Sequence, residues 1–237
     1  MNWGLGNMMG SNEMQIPYDR HCIDLAIDQA SQERYYAWLS ADECDRAQRF
    51  KYSQHRRDFV AARGALRSHL AQYLNCHPKE IRFDYGDHGK PKLANYPNLH
   101  FNLAHSHERA IIVVCKTAAI GVDLEKVRPV PELLALAKRF FKVSEYESIA
   151  ALPEALQPEK FFAYWTCKEA YLKATGTGLS QISKLELSLE QSVKILKSPC
   201  DRRFSLAQIL DSEIVDRSFS NQSEDSFFMG AVAIEIS

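Results

Sequence analysis

A long helical segment between strand-like segments constrains the fold of this chain most. Residues 159–174 form the clearest predicted helix, and Gly176 follows it, a residue that commonly ends a helix. Residues 22–27 instead alternate apolar and polar side chains, and residues 228–236 form a short, mostly apolar segment. Both patterns are typical of strands. A chain that carries both patterns, with helices and strands mixed along its length, is predicted to have an α+β fold.

Further elements follow from the same periodicities. The spacing of apolar residues predicts helices over 55–74 and 131–141, and capping boxes are predicted at Ser40 with Glu43 and at Ser144 with Glu147. Residues 110–115 and 118–125 are predicted to pair as a hairpin. Residues 1–16 are interpreted as a loose tail and residues 218–226 as a loop.

Composition excludes several classes of protein. The 237 residues include 29 Lys plus Arg and 30 Asp plus Glu, a formal charge of −1, so we expect no general nucleic-acid-binding role. No apolar run approaches the roughly 20 residues of a membrane helix, and residues 1–10 lack the basic start of a signal peptide. The six cysteines form no CxxC pair, so we expect free thiols in a soluble, cytoplasmic protein.

Two carboxylates occur two residues apart in the sequence GVDLE. On a strand, Asp123 and Glu125 point to the same face, while Val122 and Leu124 point into the core. Two such charges repel each other unless a cation or a proton lies between them, and oxygen ligands suit Mg²⁺. Taken alone, the pair is more readily explained by a strand face on which both carboxylates are solvated.

The predicted helix over 159–174 carries a second polar pair. Glu169 and Lys173 lie four residues apart on one helical face, with Trp165 one turn earlier. An isolated pair of this kind is usually a surface ion pair. Next to Asp123 and Glu125, however, Glu169 would supply a third metal ligand or a base, and Lys173 a phosphate contact or an acid.

Other residues of the chain suit phosphate binding. His105 and Ser106 end a predicted strand and offer an imidazole and a hydroxyl, and Lys90 lies in a glycine-containing loop. Arginines bind phosphate through two parallel hydrogen bonds, although each basic residue alone is better explained by a solvated surface. On the long predicted helix, three arginines lie close to one line: Arg56, Arg63 and Arg67.

Three motifs in order carry a family resemblance. They are FNLAHS at 101–106, GVDLEK at 121–126 and FFAYWTCKEAYLKATGTGL at 161–179, with a GKP turn at 89–91. This combination resembles the 4′-phosphopantetheinyl transferases of the long, surfactin-synthetase-activating type, over roughly residues 39–187 and the closing strand. The resemblance implies Mg²⁺-dependent transfer of the 4′-phosphopantetheine group from coenzyme A (CoA) to a serine of an apo acyl or peptidyl carrier protein, with 3′,5′-ADP as the product.

The resemblance also implies a role for each matching residue. Glu169 would be the base for the serine hydroxyl, and Lys173 would help the leaving group. The implied Mg²⁺ ligands are Asp123, Glu125 and Glu169. The implied CoA contacts are Arg56, Arg57, Arg63, Lys90, His105, Ser106, Lys168 and Lys173. The family often has Ser where this chain has Ala104, so one phosphate contact, worth about 1 kcal/mol, is expected to be replaced.

The family further implies an architecture. Its long members are single chains of two similar α+β halves in a pseudo-two-fold arrangement, with the site in the cleft between them. We therefore expect a monomer with halves at 17–119 and 120–237 that binds CoA and carrier proteins, but neither nucleic acid nor membrane. Two alternatives remain open from the residues: another Mg²⁺-dependent phosphotransferase or phosphohydrolase, and a CoA- or carrier-binding module without activity.

Overall fold

The computed structural model describes residues 16–214 and 227–236 in two groups of elements. The first group comprises β1 (Asp19–Asp24), α1 (Gln29–Trp38), α2 (Ala41–Gln48), α3 (Ser53–Leu74), β2 (Phe83–Tyr85), β3 (Pro91–Leu93), β4 (His100–Ser106) and β5 (Arg109–Cys115). The second comprises β6 (Ile120–Lys126), α4 (Leu133–Phe140), α5 (Val143–Ala150), α6 (Gln157–Thr175), β7 (Glu186–Ser188), β8 (Lys194–Lys197), β9 (Arg203–Ile209), α7 (Asp211–Ile214) and β10 (Phe228–Ile236). The predicted loop 218–226 and residues 1–15 of the predicted tail lie outside the described residues.

The two groups repeat one topology, which confirms the predicted α+β fold with two similar halves. Each half runs through a strand, three helices, a two-stranded hairpin and two further strands, with α7 as an addition in the second half. Each half forms an antiparallel three-stranded sheet with its last strand in the centre, in the order β1-β5-β4 and β6-β10-β9.

The two sheets pack face to face, and the long helices cover their outer faces. Ile111 and Val113 of the first sheet share one apolar cluster with Val122, Leu124 and Val232 of the second. On the outside, α3 packs on the first sheet, and α6 packs on the second. Burying these apolar faces in a single stack is the main stabilising contribution to the fold. None of the helices within 16–214 and 227–236 combines the length and apolar character needed to cross a bilayer.

The predicted hairpin between 110–115 and 118–125 is wrong. β5 pairs with β1 and β4, whereas β6 pairs with β10, so the short connection between β5 and β6 crosses from one sheet to the other. The period-two pattern correctly identified β5 and β6 as strands. It does not show which strands they pair with, because that depends on how the two halves stack.

Side chains of β4 accept hydrogen bonds from the backbone of β6 and thereby join the two sheets. The amide of Val122 donates a hydrogen bond to Oδ1 of Asn102 (2.9 Å), and the amide of Lys126 donates to Oγ of Ser106 (3.1 Å). Both contacts connect residues twenty positions apart, so β4 and β6 run side by side in the same direction. The FNLAHS segment therefore anchors the strand that carries Asp123 and Glu125.

Several element boundaries differ from the predictions. The predicted capping box of Ser144 and Glu147 is wrong: at the start of α5 the Lys142 amide instead donates a hydrogen bond to Glu145 at 2.7 Å. Glu145 is completely buried, and its carboxylate also accepts a hydrogen bond from the Leu187 amide and forms an ion pair with Lys168, which fixes it at this position. The capping box at Ser40 and Glu43 is confirmed, as is the end of α6 at Gly176, whose φ is 74°.

A stacked histidine pair between β1 and α3 predicts acid sensitivity. The rings of His21 and His69 lie 4.2 Å apart, and burial, followed by the charge of His21, lowers the pKa of His69 to about 4. The unfolded chain therefore binds more protons than the folded protein between about pH 6.5 and pH 4, and stability falls as the pH falls through this window. We expect a loss of about 1–2 kcal/mol, allowing for partial exposure of the ring.

Urea unfolding at pH 7 and at pH 4.5 measures this loss. His69→Phe retains a flat ring against His21 but cannot titrate, so its stability should depend less on pH. His55→Gln, a change at an exposed position of the same helix, is the matched control. Equal pH dependence in the wild type and His69→Phe would contradict the assignment.

Candidate functional site

The site begins with the close approach of α6 to β6 at Gly121. A Cβ atom at this position would overlap the carbonyl oxygen of Ala170 and the amide nitrogen of Ala174. The helix backbone therefore lies directly on the strand, and only glycine allows that contact. Because β6 alternates, the residues that share the face of Gly121 are Asp123 and Glu125.

Asp123 forms the centre of the site. Asp123 as a residue is 6% exposed, and Lys173 of α6 donates a hydrogen bond to its Oδ1 at 2.6 Å. The other oxygen, Oδ2, is buried and has no hydrogen-bond partner among the described residues. A buried carboxylate oxygen without a partner is costly, and it is the kind of group that a bound cation or ligand satisfies.

The three acidic residues affect one another electrostatically. Burial, followed by the charge of Asp123, raises the pKa of Glu169 to about 7. Burial and then Asp123 likewise raise the pKa of Glu125, and burial raises the pKa of Asp123. Burial alone would lower the pKa of Lys173, but its contact with Asp123 raises it overall. Burial and mutual repulsion therefore oppose ionisation of these carboxyl groups, and the positive charges of Lys173 and, at Glu125, of Arg128 offset part of this effect.

Residues of β4 lie beside this cluster. Ser106 donates a hydrogen bond to Glu125 at 3.3 Å. Loss of hydration lowers the pKa of His105, and the charge of Lys173 lowers it further, which places this ring within electrostatic range of the site. Arg46 of α2 also acts on His105. Nothing in the sequence singles out Arg46, because its position in a polar eight-residue helix carries no distinguishing pattern.

The basic residues of α3 have different environments. Arg63 is buried, donates to Glu43 at 2.8 Å and to the Tyr85 hydroxyl at 3.0 Å, and so has protein partners on its guanidinium. Arg56 and Arg57 line a surface groove between α1 and α3, and Arg56 lies over the ring of Tyr36. The structure therefore separates these three arginines into one buried ion pair and two surface residues.

Lys168 does not reach the site, although it precedes Glu169. Its side chain is fully buried, forms an ion pair with Glu145 at 2.8 Å and donates to the carbonyl oxygens of Ile182 and Leu185. Adjacent helical residues point about 100° apart, so Lys168 faces the interior of the second half. The amine has no exposed surface with which to contact CoA.

The buried pair of Lys168 and Glu145 predicts a strong effect on stability. Lys168→Met leaves the Glu145 charge buried without its partner, which typically costs about 3–5 kcal/mol. The double variant Lys168→Met, Glu145→Gln should be more stable than Lys168→Met alone, because no unpaired charge remains. Urea unfolding measures both, with the exposed Lys184→Met as control. A double variant that is less stable than Lys168→Met would contradict this account.

The acidic cluster fits a divalent cation in its chemistry. Asp123, Glu125 and Glu169 supply carboxylate oxygens, the ligands that Mg²⁺ prefers, and Oδ2 of Asp123 lacks another partner in the described part of the chain. As the side chains stand in residues 16–214 and 227–236, no three His, Cys, Asp or Glu residues converge closely enough to hold a metal ion. Lys173 occupies Oδ1 of Asp123 in this arrangement.

Comparison with known proteins agrees with the fold and with these motifs. Residues 28–117 match the family model described as 4′-phosphopantetheinyl transferase, N-terminal, and residues 119–224 match that of the 4′-phosphopantetheinyl transferase superfamily. The chain belongs to this superfamily.

Individual relatives support the same membership. The 4′-phosphopantetheinyl transferase HetI of Nostoc sp. is 49% identical over 156 residues, which are 65% of this chain and 66% of that protein. A protein of Synechocystis sp. named as a putative 4′-phosphopantetheinyl transferase is 40% identical, over 62% of this chain and 60% of its own length. The 4′-phosphopantetheinyl transferase Sfp of Bacillus subtilis is 30% identical, over 67% of this chain and 69% of its own length. The chain thus aligns with slightly less than two thirds of the first two relatives.

Proposed function

We propose that this protein transfers the 4′-phosphopantetheine group of CoA to a serine of an apo acyl or peptidyl carrier protein. The serine oxygen forms a bond to the β-phosphorus of CoA, the bond from that phosphorus to the bridging oxygen breaks, and 3′,5′-ADP leaves. The observation that carries the proposal is the placement of Glu169 and Lys173 against Asp123, within the segment that matches the superfamily. Names of relatives in bacteria and mammals support the same activity.

Glu169 and Lys173 are the catalytic residues of this proposal. A carboxylate whose pKa lies near 7 can accept the serine proton at physiological pH, which is the property required of a general base. The Lys173 ammonium, held against Asp123, would stabilise charge that develops on the leaving group. The cluster formed by Asp123, Glu125 and Glu169 would hold Mg²⁺, which when bound neutralises pyrophosphate charge.

We assign the proposed CoA contacts according to where each side chain lies and which groups of the protein it contacts. His105, Ser106 and Lys173 border the acidic cluster and are our candidates for the pyrophosphate. Arg56 and Arg57 at the surface are our candidates for the 3′-phosphate. We assign Arg63 to holding Tyr85 and Glu43, because its guanidinium donates to both.

We also propose that the two halves, at 17–119 and 120–237, act together in one monomeric chain. The repeated topology and the side-chain links from β4 to β6 support this arrangement. A cytoplasmic setting is our expectation from the sequence, and all six cysteines are free thiols.

Intact-protein mass spectrometry of an apo carrier protein tests the activity. The carrier is incubated with CoA and this protein, once with Mg²⁺ and once with EDTA. We expect a mass gain of one phosphopantetheine group in the presence of Mg²⁺ alone. A gain that EDTA does not reduce would refute the metal requirement but support the transfer.

The two alternatives predict other results in the same experiment. A phosphohydrolase would cleave CoA without modifying the carrier, and a binding module would retain CoA intact. Failure to modify several different apo carriers, by protein shown to be folded by circular dichroism, would overturn the transferase proposal.

A further inference from the structure

The ion pair between Lys173 and Asp123 joins a movable side chain to a fixed one. The Lys173 side chain is 32% exposed, whereas that of Asp123 is 9% exposed. Asp123 is paired with Ala231 of β10 and shares the face of β6 on which α6 lies at Gly121. Because the ammonium of a lysine is carried on a flexible four-carbon stem, Lys173 can leave this contact while the carboxylate stays in place.

Asp123 needs a positive partner because it is buried. A buried carboxylate without a compensating charge is strongly destabilising, and Lys173 supplies that charge at Oδ1, 2.6 Å away. The second oxygen, Oδ2, is buried and has no hydrogen-bond partner elsewhere in the described chain. The ammonium of Lys173 therefore neutralises the same carboxylate that a bound cation would neutralise.

The acidic side chains of the cluster are not gathered into one ligand set while Lys173 contacts Asp123. Glu125 instead accepts a hydrogen bond from Ser106 at 3.3 Å and lies 3.8 Å from Arg128. Among the residues that the structure describes, no three His, Cys, Asp or Glu side chains are arranged to hold a metal ion. The ion pair of Lys173 with Asp123 thus accompanies a closed form of the cation site.

A second ammonium, that of Lys90, lies nearby but contacts other groups. Its Nζ donates to the carbonyl oxygen of Ile120 at 3.0 Å and lies 3.5 Å from that of Ala174, the residue that follows Lys173. The Lys90 side chain is only partly buried, so it stays available as the CoA contact that the resemblance implies. The ammonium that holds the carboxylate of Asp123 is that of Lys173.

We propose that Lys173 closes the cation site: its ammonium and a divalent cation compete for Asp123, and phosphate oxygens of CoA open the site by binding the ammonium. Two positive groups against one carboxylate repel each other, so the ammonium weakens cation binding. A phosphate ligand that attracts Lys173 removes this competition, and by linkage the cation and the phosphate ligand each strengthen the binding of the other. The inference rests on the proposed function, since CoA is the phosphate ligand that it names.

Titration of the full-length protein with Mn²⁺, followed by electron paramagnetic resonance of the free ion, measures cation binding without turnover. Mn²⁺ takes the same kinds of oxygen ligand as Mg²⁺. With no phosphate ligand added, we expect Lys173→Met to bind Mn²⁺ at least fivefold more tightly than the wild type. Lys173→Arg retains the positive charge and should bind Mn²⁺ no more tightly than the wild type.

Arg128→Met is the matched control, because it removes a positive charge beside another acidic residue, Glu125. We expect its Kd for Mn²⁺ to stay within twofold of the wild-type value. A gain in Mn²⁺ affinity below fivefold in Lys173→Met, or an equal gain in Arg128→Met or Lys173→Arg, would overturn the proposal. If Lys173→Met does not fold, Lys173→Gln takes its place, with the same expected gain and the same limit.

The product 3′,5′-ADP, which carries phosphates but has no group to transfer, tests the opening step. Saturating 3′,5′-ADP should lower the Kd for Mn²⁺ in the wild type by a factor at least three times larger than in Lys173→Met. Direct contact between phosphates and the ion would act in both proteins, so the difference between the two factors reports the part played by Lys173. A smaller difference would overturn the opening of the site by phosphate.

The two proposals can fail separately. If the wild-type protein modified no carrier, the proposed function would be wrong, but Mn²⁺ binding to Lys173→Met would still report whether the ammonium competes with a cation. If transfer occurred and Lys173→Met bound Mn²⁺ like the wild type, only the competition would be wrong.

Discussion

Glu169→Gln is expected to reduce transfer to the carrier protein by a factor of about 10²–10⁴, which is the range that a positioned general base contributes. The amide has nearly the shape of the carboxylate but cannot accept the serine proton, and it is a poorer ligand for a hard cation. Because burial and the neighbouring acidic charges oppose ionisation of Glu169, removing its charge should not lower stability. Initial rates from intact-protein mass spectrometry measure the effect.

Glu159→Gln is the matched control for this variant. It makes the same chemical change at an exposed position in the first turn of α6, away from the acidic cluster. We expect rates within twofold of the wild type. Normal transfer by Glu169→Gln at saturating Mg²⁺, with CoA binding intact, would refute the assignment of Glu169 as base and metal ligand.

Gly121→Val is expected to destabilise the protein by about 3 kcal/mol or more. The Cβ of valine would overlap backbone atoms of Ala170 and Ala174, and backbone cannot move aside as a flexible side chain can. Overpacking of this kind typically costs about 1–3 kcal/mol, and contact with the backbone places this case at or above the upper end. Separation of α6 from β6 would also break the contact between Lys173 and Asp123.

Thermal and urea unfolding of Gly121→Val and of Gly86→Ala provide the comparison. At Gly86 an added Cβ would have its nearest neighbour at 3.8 Å, an ordinary contact, so we expect a change below about 0.5 kcal/mol. If Gly121→Val were as stable as the wild type and transferred normally, the close approach of helix and strand would not be required for the site.

The two halves also show why residue type alone does not reveal the role of a basic side chain. Arg67 donates to buried Glu43 and to the carbonyls of Pro78 and Ile81, and Lys168 makes the equivalent set of contacts with Glu145 and two carbonyls. Both residues lie seven positions before the last residue of the long helix of their half. A row of arginines along a helix is compatible with a phosphate-binding surface and with buried ion pairs of this kind. Spacing along the sequence does not show which face of the helix other elements cover.

The sequence by itself determined the α+β class and the extent of α6. It also placed Asp123 with Glu125 on one strand face and Glu169 with Lys173 on one helix face, because periodicity and spacing are local properties. The motifs also carried the superfamily resemblance, which the comparisons confirm. The partners of β5 and β6, the burial of Lys168 and the two carbonyls bound by Lys90 were decided by tertiary structure alone. Each depends on which faces meet when the halves stack, because apolar faces and charged groups are buried there against partners that are distant in the sequence.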